Sequence, residues 1–162
     1  VIGAWIDDLK MKPENRFKQG LMVPGEKTTA LVRGSHFPQA LLRHADGTFA
    51  WSDDVLGDHL SLVGFGIDPA TLLSADDMSR WHALGGHCIQ LCYRGQALNR
   101  SVGKHVWEDI NGEMLPGLAP TGWLAVVRPD HSIITDGPSS EAAHLIEASI
   151  KLLCSPTPAH LT

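Results

Sequence analysis

The sequence lacks any run of about 18 apolar residues, and it therefore predicts no membrane-spanning helix. Positive charge is also scarce, because 13 Lys and Arg residues are outnumbered by 18 Asp and Glu residues. A nucleic-acid-binding surface needs clustered Lys and Arg, and here they are scattered through a chain of net charge −5. We therefore expect neither a membrane nor a nucleic acid among the partners of this protein.

Cysteine is limited to three residues, too few for a disulfide framework. Cys88 and Cys92 fall within one strand-like run, where a spacing of four residues separates Cα atoms by about 13 Å. A disulfide needs Cα atoms within about 7 Å, so these two residues cannot be bridged. Cys154 ends a predicted helix. We expect reduced, mostly buried thiols, and hence a cytoplasmic protein.

Common catalytic signatures are missing as well. A Gly-x-Gly-x-x-Gly turn would hold the pyrophosphate of a flavin on a helix amino terminus, and a Gly-x-Ser-x-Gly elbow would present a nucleophilic serine. Zinc hydrolases carry two histidines one helical turn apart around a glutamate, a pattern that none of the nine histidines shows. We therefore predict no catalytic, cofactor-binding or metal-binding residue in this chain.

The clearest local pattern that is present is a hairpin followed by a helix. Residues 123–127 form a short apolar run of β-formers, typical of a strand buried on both faces. Pro129 and Asp130 then favour a tight reversal. Residues 132–135 are a second β-prone run, which we expect to pair antiparallel with the first. A helix is predicted from about Ser139 to Cys154.

A β-α-β pattern precedes this hairpin. Two apolar segments, 60–65 and 88–93, flank a helix that Ser74 is expected to cap together with Asp77. Because such crossovers are right-handed and short, the two strands should be parallel. The order β-α-β followed by β-β-α predicts the α/β class, with a thioredoxin-like mixed sheet and helices on both of its faces.

A second, smaller hairpin is predicted for residues 41–51, because Asp46-Gly47 is a strong signal for a two-residue turn. Ser52 is expected to cap the helical turn that follows, and Gly57 to end it.

Three regions divide the chain. Apolar spacing at the start predicts a helix that ends before Pro13, so residues 1–34 are interpreted as an N-terminal helix and an extended connector. Residues 35–155 form the thioredoxin-like domain, and residues 156–162 form a tail. Because the chain begins with Val1, apparently mid-element, we expect the connector to come from a missing upstream domain.

The turn signature gives a family resemblance. Arg128, Pro129 and Asp130, between an apolar strand and a second strand, resemble the C-terminal domain of FAD-dependent aromatic-ring hydroxylases. This group includes phenol hydroxylases and 3-(3-hydroxyphenyl)propionate hydroxylases. Further matching segments occur in the same order, and together they extend the resemblance over most of the chain: 6–13, Pro38, 41–42, 46–47, 53–57 and 60–65.

The resemblance implies a division of labour within a longer parent protein. The upstream part would carry FAD, the reaction with NAD(P)H and the pocket for a phenolic ring, as in a monooxygenase of aromatic compound catabolism. This chain would be a C-terminal accessory and interaction domain, not catalytic by itself. Its partners would be the upstream FAD and substrate domains, and a second copy in a homodimer. Arg128, Pro129 and Asp130 would be a structural signature, a turn in which Arg128 pairs with a carboxylate.

An independent thioredoxin-like thiol redox protein is the alternative. In thioredoxins the reactive Cys-x-x-Cys follows the first core strand, at a helix amino terminus that lowers the thiol pKa. The corresponding residues 66–71 contain no cysteine, so the alternative needs an exposed Cys88 or Cys92. Thioredoxins also place a cis-proline before the third core strand, and Pro120 is the candidate here.

Overall fold

The computed structural model describes residues 22–25, 28–97 and 105–154. The predicted N-terminal helix and the tail 156–162 lie outside the described residues. Within them, seven strands and three α-helices are β1 (Leu41–His44), β2 (Phe49–Trp51), α1 (Ser52–Leu56), β3 (Leu60–Phe65), α2 (Ala75–Ala83), β4 (Gly86–Tyr93), β5 (Val106–Asp109), β6 (Trp123–Val127), β7 (Ile133–Pro138) and α3 (Ala142–Cys154). Short 3-10 turns, Pro69–Leu72 and Ser139–Glu141, precede α2 and α3.

All seven strands belong to one sheet in the order β2-β1-β5-β4-β3-β6-β7. Strand β4 runs parallel to both β3 and β5. Strand β6 is antiparallel to β3, and β7 is antiparallel to β6. The parallel pairing of 60–65 with the following strand and the antiparallel 123–135 hairpin, both predicted from sequence, are therefore confirmed.

The central strand β3 is buried at all six positions, which its apolar sequence Leu-Ser-Leu-Val-Gly-Phe allows. Its side chains alternate between two cores, as the two-residue period of a strand requires. Leu62 packs with Trp81 of α2 and Ile146 of α3 on one face. Phe65 packs with Phe37 on the other.

Helices lie on both faces, as predicted, but unequally. Both α2 and α3 cover the face that carries Leu62. On the opposite face, the five-residue α1 contributes the buried Leu56 and the half-buried Val55. Irregular segments supply the other buried residues that lie outside the strands: Leu31, Phe37, Ala40, Met114, Leu115 and Ala119. No helix in the described part of the chain is both long and apolar enough to cross a bilayer.

Ser74 caps its helix as predicted, whereas Ser52 does not. The Ser74 hydroxyl accepts a hydrogen bond from the Asp77 amide at 3.1 Å. Ser52 is instead the first residue of α1, and its buried hydroxyl accepts from the Ala40 amide at 2.9 Å and donates to the Pro38 carbonyl at 3.0 Å. The prediction for Ser52 was wrong because the buried Ala40 amide and the Pro38 carbonyl, both remote in sequence, take its hydroxyl as their partner.

Two turn predictions also need correction. The small hairpin forms, but Arg43 pairs with Phe49 and His44 bonds to Thr48, so the loop contains three residues. Gly47 adopts a positive φ of 91° in that loop, a conformation that lets the chain close it. Among the described residues the cis peptide bond precedes Pro116, so the assignment to Pro120 was wrong.

Candidate functional site

The carboxyl end of β3 is where a thioredoxin carries its reactive cysteines. Here the chain turns at Gly66, with φ of 71°, and enters the 3-10 turn Pro69–Leu72. Asp68 caps that turn, and its carboxylate accepts a hydrogen bond from the Ala70 amide at 3.0 Å. A carboxylate therefore occupies the helix start at which the alternative function would need a thiolate.

The Cys88 thiol, on the adjacent strand β4, lies close enough to this position for the charge of Asp68 to act on it. Burial, with a smaller contribution from the negative charge of Asp68, raises the pKa of Cys88 to about 11. Cys92 is buried further along the same strand, and Cys154 is exposed at the end of α3. None of these three described cysteines is in a disulfide. Because the thiolate is the reactive form of cysteine, Cys88 is inert at neutral pH.

We expect Cys88 to resist alkylation at pH 7 and the chain to show no insulin reductase activity. A thiol with a pKa of about 11 is ionised in only about one molecule in 10⁴ at that pH. Asp68→Asn removes a charge that opposes ionisation, so it should speed labelling. Iodoacetamide labelling followed by peptide mass spectrometry measures both rates, with exposed Cys154 as the internal reference. Dithiol-driven turnover that disappears in Cys88→Ser would restore the thiol redox alternative.

The predicted reversal after β6 contains an internal ion pair. The Arg128 guanidinium, fully buried, donates to Asp130 at 2.7 Å. The Asp130 carboxylate also accepts from the Ser132 amide at 3.2 Å, and the His131 amide donates to the Arg128 carbonyl at 2.8 Å. Burial lowers the pKa of Arg128, and the charge of Asp130 opposes that shift. The carboxylate that Arg128 was expected to need is thus supplied by its own turn.

A second buried charge, Asp136, joins the sheet to the segment that precedes it. Its carboxylate accepts from Arg33 Nε at 2.9 Å, from Trp123 Nε1 at 2.9 Å and more weakly from Thr29 at 3.4 Å. Arg33 also donates to the Asp136 carbonyl at 2.7 Å and to the Val23 carbonyl at 3.1 Å. We call Asp136, Arg33, Trp123 and Thr29 the Asp136 cluster.

The Asp136 cluster lies where a segment of irregular structure runs along β7. We call residues 22–25 and 28–37 the edge segment. The Val23 amide donates to the Ile134 carbonyl, and the Gly34 amide to the Ile133 carbonyl, each at 2.8 Å. The Ile133 amide donates in return to the Ser35 carbonyl at 2.9 Å. These hydrogen bonds therefore hold the edge segment against the outer side of β7.

Sequence reasoning missed this cluster, because the predicted second strand ended at residue 135 and left Asp136 outside it. The observed strand continues to Pro138, and Asp136 lies within it with its side chain buried. Aspartate is disfavoured in strands, but here Arg33 and Trp123 satisfy its carboxylate. Since Arg33 is remote in sequence, no local pattern pointed to the pair.

A row of three histidines lies near the amino ends of β3 and β4. The His87 ring is 4.9 Å from that of His59 and 6.3 Å from that of His105, between centroids. Burial, and to a lesser degree the charges of these two neighbours, lowers the pKa of His87 to about 4. Ser61 Oγ lies 2.6 Å from His87 Nε2, but Ser61 is fully buried and cannot meet a substrate. The Ser61–His87 pair is therefore a structural hydrogen bond between neighbouring strands.

The chain resembles one family and a set of larger enzymes. The family model described as the HcaD C-terminal domain matches residues 34–152. A 3-(3-hydroxy-phenyl)propionate/3-hydroxycinnamic acid hydroxylase 2 from Burkholderia vietnamiensis is 29% identical over 136 residues, which are 80% of this chain and 25% of that protein. A hydroxylase of the same kind from Burkholderia cenocepacia is 30% identical over 139 residues, 80% of this chain and 24% of that protein. The chain thus spans about a quarter of the length of these curated relatives.

Solved structures with a similar fold fall into two groups. The flavin-dependent monooxygenase PieE, solved with FAD and substrate, superposes with a TM-score of 0.61 at 18% identity, over 85% of this chain and 24% of that one. A putative protein disulfide isomerase from Bacteroides thetaiotaomicron gives 0.56 at 12% identity, over 82% and 96% of the two chains. The thioredoxin domain of a thiol-disulfide oxidoreductase from Bacteroides vulgatus gives 0.52 at 13%, over 74% and 99%. The predicted thioredoxin-like fold is confirmed.

Proposed function

The chain belongs to the family of HcaD C-terminal domains, and we propose that it serves as the C-terminal accessory domain of a flavoprotein monooxygenase. The observation that carries this proposal is the difference in coverage. The match to the hydroxylase of Burkholderia vietnamiensis includes 80% of this chain but only 25% of that protein. The remaining three quarters of such a parent would hold the reaction centre.

We assign the parent's cofactors and substrate class from the same relatives. PieE is described as flavin-dependent and was solved with FAD, and the curated relatives are hydroxylases of 3-(3-hydroxyphenyl)propionate and 3-hydroxycinnamic acid. The proposed parent therefore uses FAD to hydroxylate a phenolic compound. The family resemblance adds NAD(P)H as its proposed reductant. Because Cys88 and Cys92 form no disulfide, a reducing cytoplasm suits the protein.

The role that we propose for this chain is to dock on the rest of the parent polypeptide and stabilise it. Two aromatic side chains of the edge strand β2, Phe49 and Trp51, are exposed at 54% and 49%. They are two residues apart, so they project from the same face of the strand. Aromatic residues are enriched at interfaces, and covering this pair would remove apolar area from water. We propose the upstream domains of the same polypeptide as its occupant.

The turn of Arg128, Pro129 and Asp130 has a structural role in this proposal. Its internal ion pair and backbone hydrogen bonds hold β6 and β7 in register. Arg128 is fully buried and Asp130 is only 12% exposed, so we assign the pair no contact with a substrate.

We expect the 162-residue chain alone to bind no FAD. A flavin needs closely spaced glycines that cradle its phosphates, and this sequence has no such turn. Titration of the purified chain with FAD, followed by flavin fluorescence and the visible spectrum, measures the affinity. A stoichiometric complex of micromolar affinity, worth about −8 kcal/mol, would contradict the proposed division of labour.

The full-length parent supplies the positive arm of this experiment. It should bind FAD stoichiometrically and oxidise NAD(P)H in the presence of a phenolic substrate.

Trp51→Ser in the parent should lower its melting temperature, because it weakens the proposed docking of this domain, while the rate of the chemical step changes little. Val32→Ser is the matched control, because Val32 is exposed to a similar degree, at 42%, but lies away from β2. Equal effects of the two substitutions would contradict docking through β2.

A further inference from the structure

Three side chains that commonly bind metals converge beside the turn between β6 and β7. They are His36, Asp53 and His131, and one ligand atom from each lies within 4.8 Å of the other two. His36 pairs with Ser132 through an isolated β-bridge, Asp53 lies in the first turn of α1, and His131 occupies the hairpin turn. Three separate parts of the chain therefore meet at one point.

Backbone carbonyls fix which nitrogen of each imidazole carries a proton. His131 Nε2 lies 2.5 Å from the Gly57 carbonyl oxygen, and His36 Nδ1 lies 2.8 Å from the Phe37 carbonyl oxygen. A carbonyl only accepts hydrogen bonds, so both of these nitrogens must donate. In the neutral rings, the lone pairs are then on His131 Nδ1 and His36 Nε2. Histidines that bind metals are oriented in this same way, by a backbone or carboxylate acceptor on the other nitrogen.

The carboxylate of Asp53 faces the lone pair of His131. Asp53 Oδ1 is a buried atom with no hydrogen-bond partner among the described residues, although its side chain is 31% exposed overall. It lies 3.6 Å from His131 Nδ1. Two electron-rich atoms in such proximity repel unless a proton or a cation lies between them.

The spacing suits a small metal ion. Bonds of about 2.0–2.1 Å to a tetrahedral zinc ion place two ligand atoms about 3.3–3.4 Å apart. The observed 3.6 Å between His131 Nδ1 and Asp53 Oδ1 needs the angle that the two ligand atoms subtend at the metal to open slightly beyond the tetrahedral value. Two imidazoles and one carboxylate are ligands that divalent zinc and its first-row neighbours accept.

We propose that His36, Asp53 and His131 form a binding site for a divalent transition-metal ion of the zinc class. The ion would satisfy the buried Asp53 oxygen and both imidazole lone pairs, and a water molecule would complete its coordination. It would also join the hairpin turn, α1 and the edge segment. The local sequence gave no sign of this site, because its ligands lie on three elements remote in sequence and not on one helical turn.

Zinc titration of the metal-stripped, untagged chain tests the site. We expect one equivalent of Zn²⁺ to bind with micromolar or tighter affinity and to raise the melting temperature by several degrees. Co²⁺ at the same site should give the visible absorption of a tetrahedral nitrogen and oxygen environment. His36→Gln should weaken zinc binding at least about tenfold. Because His36 is exposed, this variant keeps the fold.

Three further variants locate the binding. His131→Asn should also weaken zinc binding, because it removes one imidazole ligand. The fold should persist, since asparagine tolerates the positive φ of 71° at this position. His82→Gln, an exposed histidine of α2, and His87→Gln, in the other histidine row, should leave the affinity unchanged. Absence of zinc binding at 100-fold molar excess would overturn the proposal, and a simple ion pair between protonated His131 and Asp53 would then explain the geometry. Binding that survives His36→Gln but is lost in His87→Gln would also overturn it.

Discussion

Asp136→Ala is expected to lower the free energy of unfolding by about 3–5 kcal/mol, because it leaves the Arg33 guanidinium without its buried carboxylate. The substitution also removes the acceptor of the Trp123 indole, whose N–H then has no partner within the Asp136 cluster. The edge segment would lose its attachment to β7 at the same time. Urea denaturation followed by tryptophan fluorescence measures the change, and the slope with denaturant shows whether the transition remains two-state.

A surface ion pair of the same length provides the control. Arg80 on α2 donates to Glu147 on α3 at 2.8 Å, and these side chains are 39% and 42% exposed, far more than Asp136 at 6%. Glu147→Ala should therefore change stability by no more than the error of the experiment. Asp136→Asn should fall between the two, because its amide oxygen can still accept from Trp123 or Arg33 without the charge. If Asp136→Ala were as mild as Glu147→Ala, the cluster would contribute nothing to the fold.

Gly64→Ala is expected to destabilise the domain by about 3 kcal/mol or more. Gly64 is the fifth of the six residues of β3, where the loop after the strand folds back across it. A Cβ atom at this position would clash with the Ile67 carbonyl oxygen and would lie 2.8 Å from Pro69 Cδ. Neither neighbour is the end of a flexible side chain, so the backbone between β3 and the 3-10 turn would have to move. Poor expression or an early thermal transition of the variant would be the first sign.

Gly137→Ala is the matched substitution on β7. An added Cβ there would lie 3.2 Å from a terminal methyl group of Leu145, which can rotate away. Alanine also reduces the conformational entropy of the unfolded chain, which offsets part of that contact. We expect a change within about 1 kcal/mol, measured as for Gly64→Ala. Equal losses at the two positions would show that any strand alanine is harmful, and the specific contact of Gly64 would then be unimportant.

The elements that sequence predicted well are those whose signal is local. The apolar run 123–127, the turn at Pro129 and Asp130 and the cap at Ser74 each depend on neighbouring residues, and each was confirmed. Strand β5, in contrast, lies between the β-α-β pattern and the hairpin, and no strand was predicted there. It is formed because β4 and β1 offer hydrogen-bonding edges on its two sides.

The buried polar residues were beyond local reasoning for a different reason. Ser52 looked like a helix cap, and Asp136 looked like a turn residue, because those are their usual positions in short sequence patterns. Their actual partners, Ala40 and Arg33, become neighbours only when the sheet has formed. The same holds for His36 and His131, whose proximity depends on the β-bridge between 36 and 132. Tertiary contacts therefore decide the roles of these residues, and local sequence patterns do not predict such contacts.

The hydrogen bonds between the edge segment and β7 bear on how the protein behaves at high concentration. The outer side of a terminal strand is a template on which another chain can add a strand and begin to aggregate. Here Val23, Gly34 and Ser35 occupy backbone groups of Ile133 and Ile134 that would otherwise be open to such an addition. The edge strand at the other end of the sheet, β2, is only three residues long, and short edge strands make poor templates for strand addition. A substitution that released the edge segment would thus expose the unpaired backbone groups of β7, and aggregation through strand addition would compete with refolding.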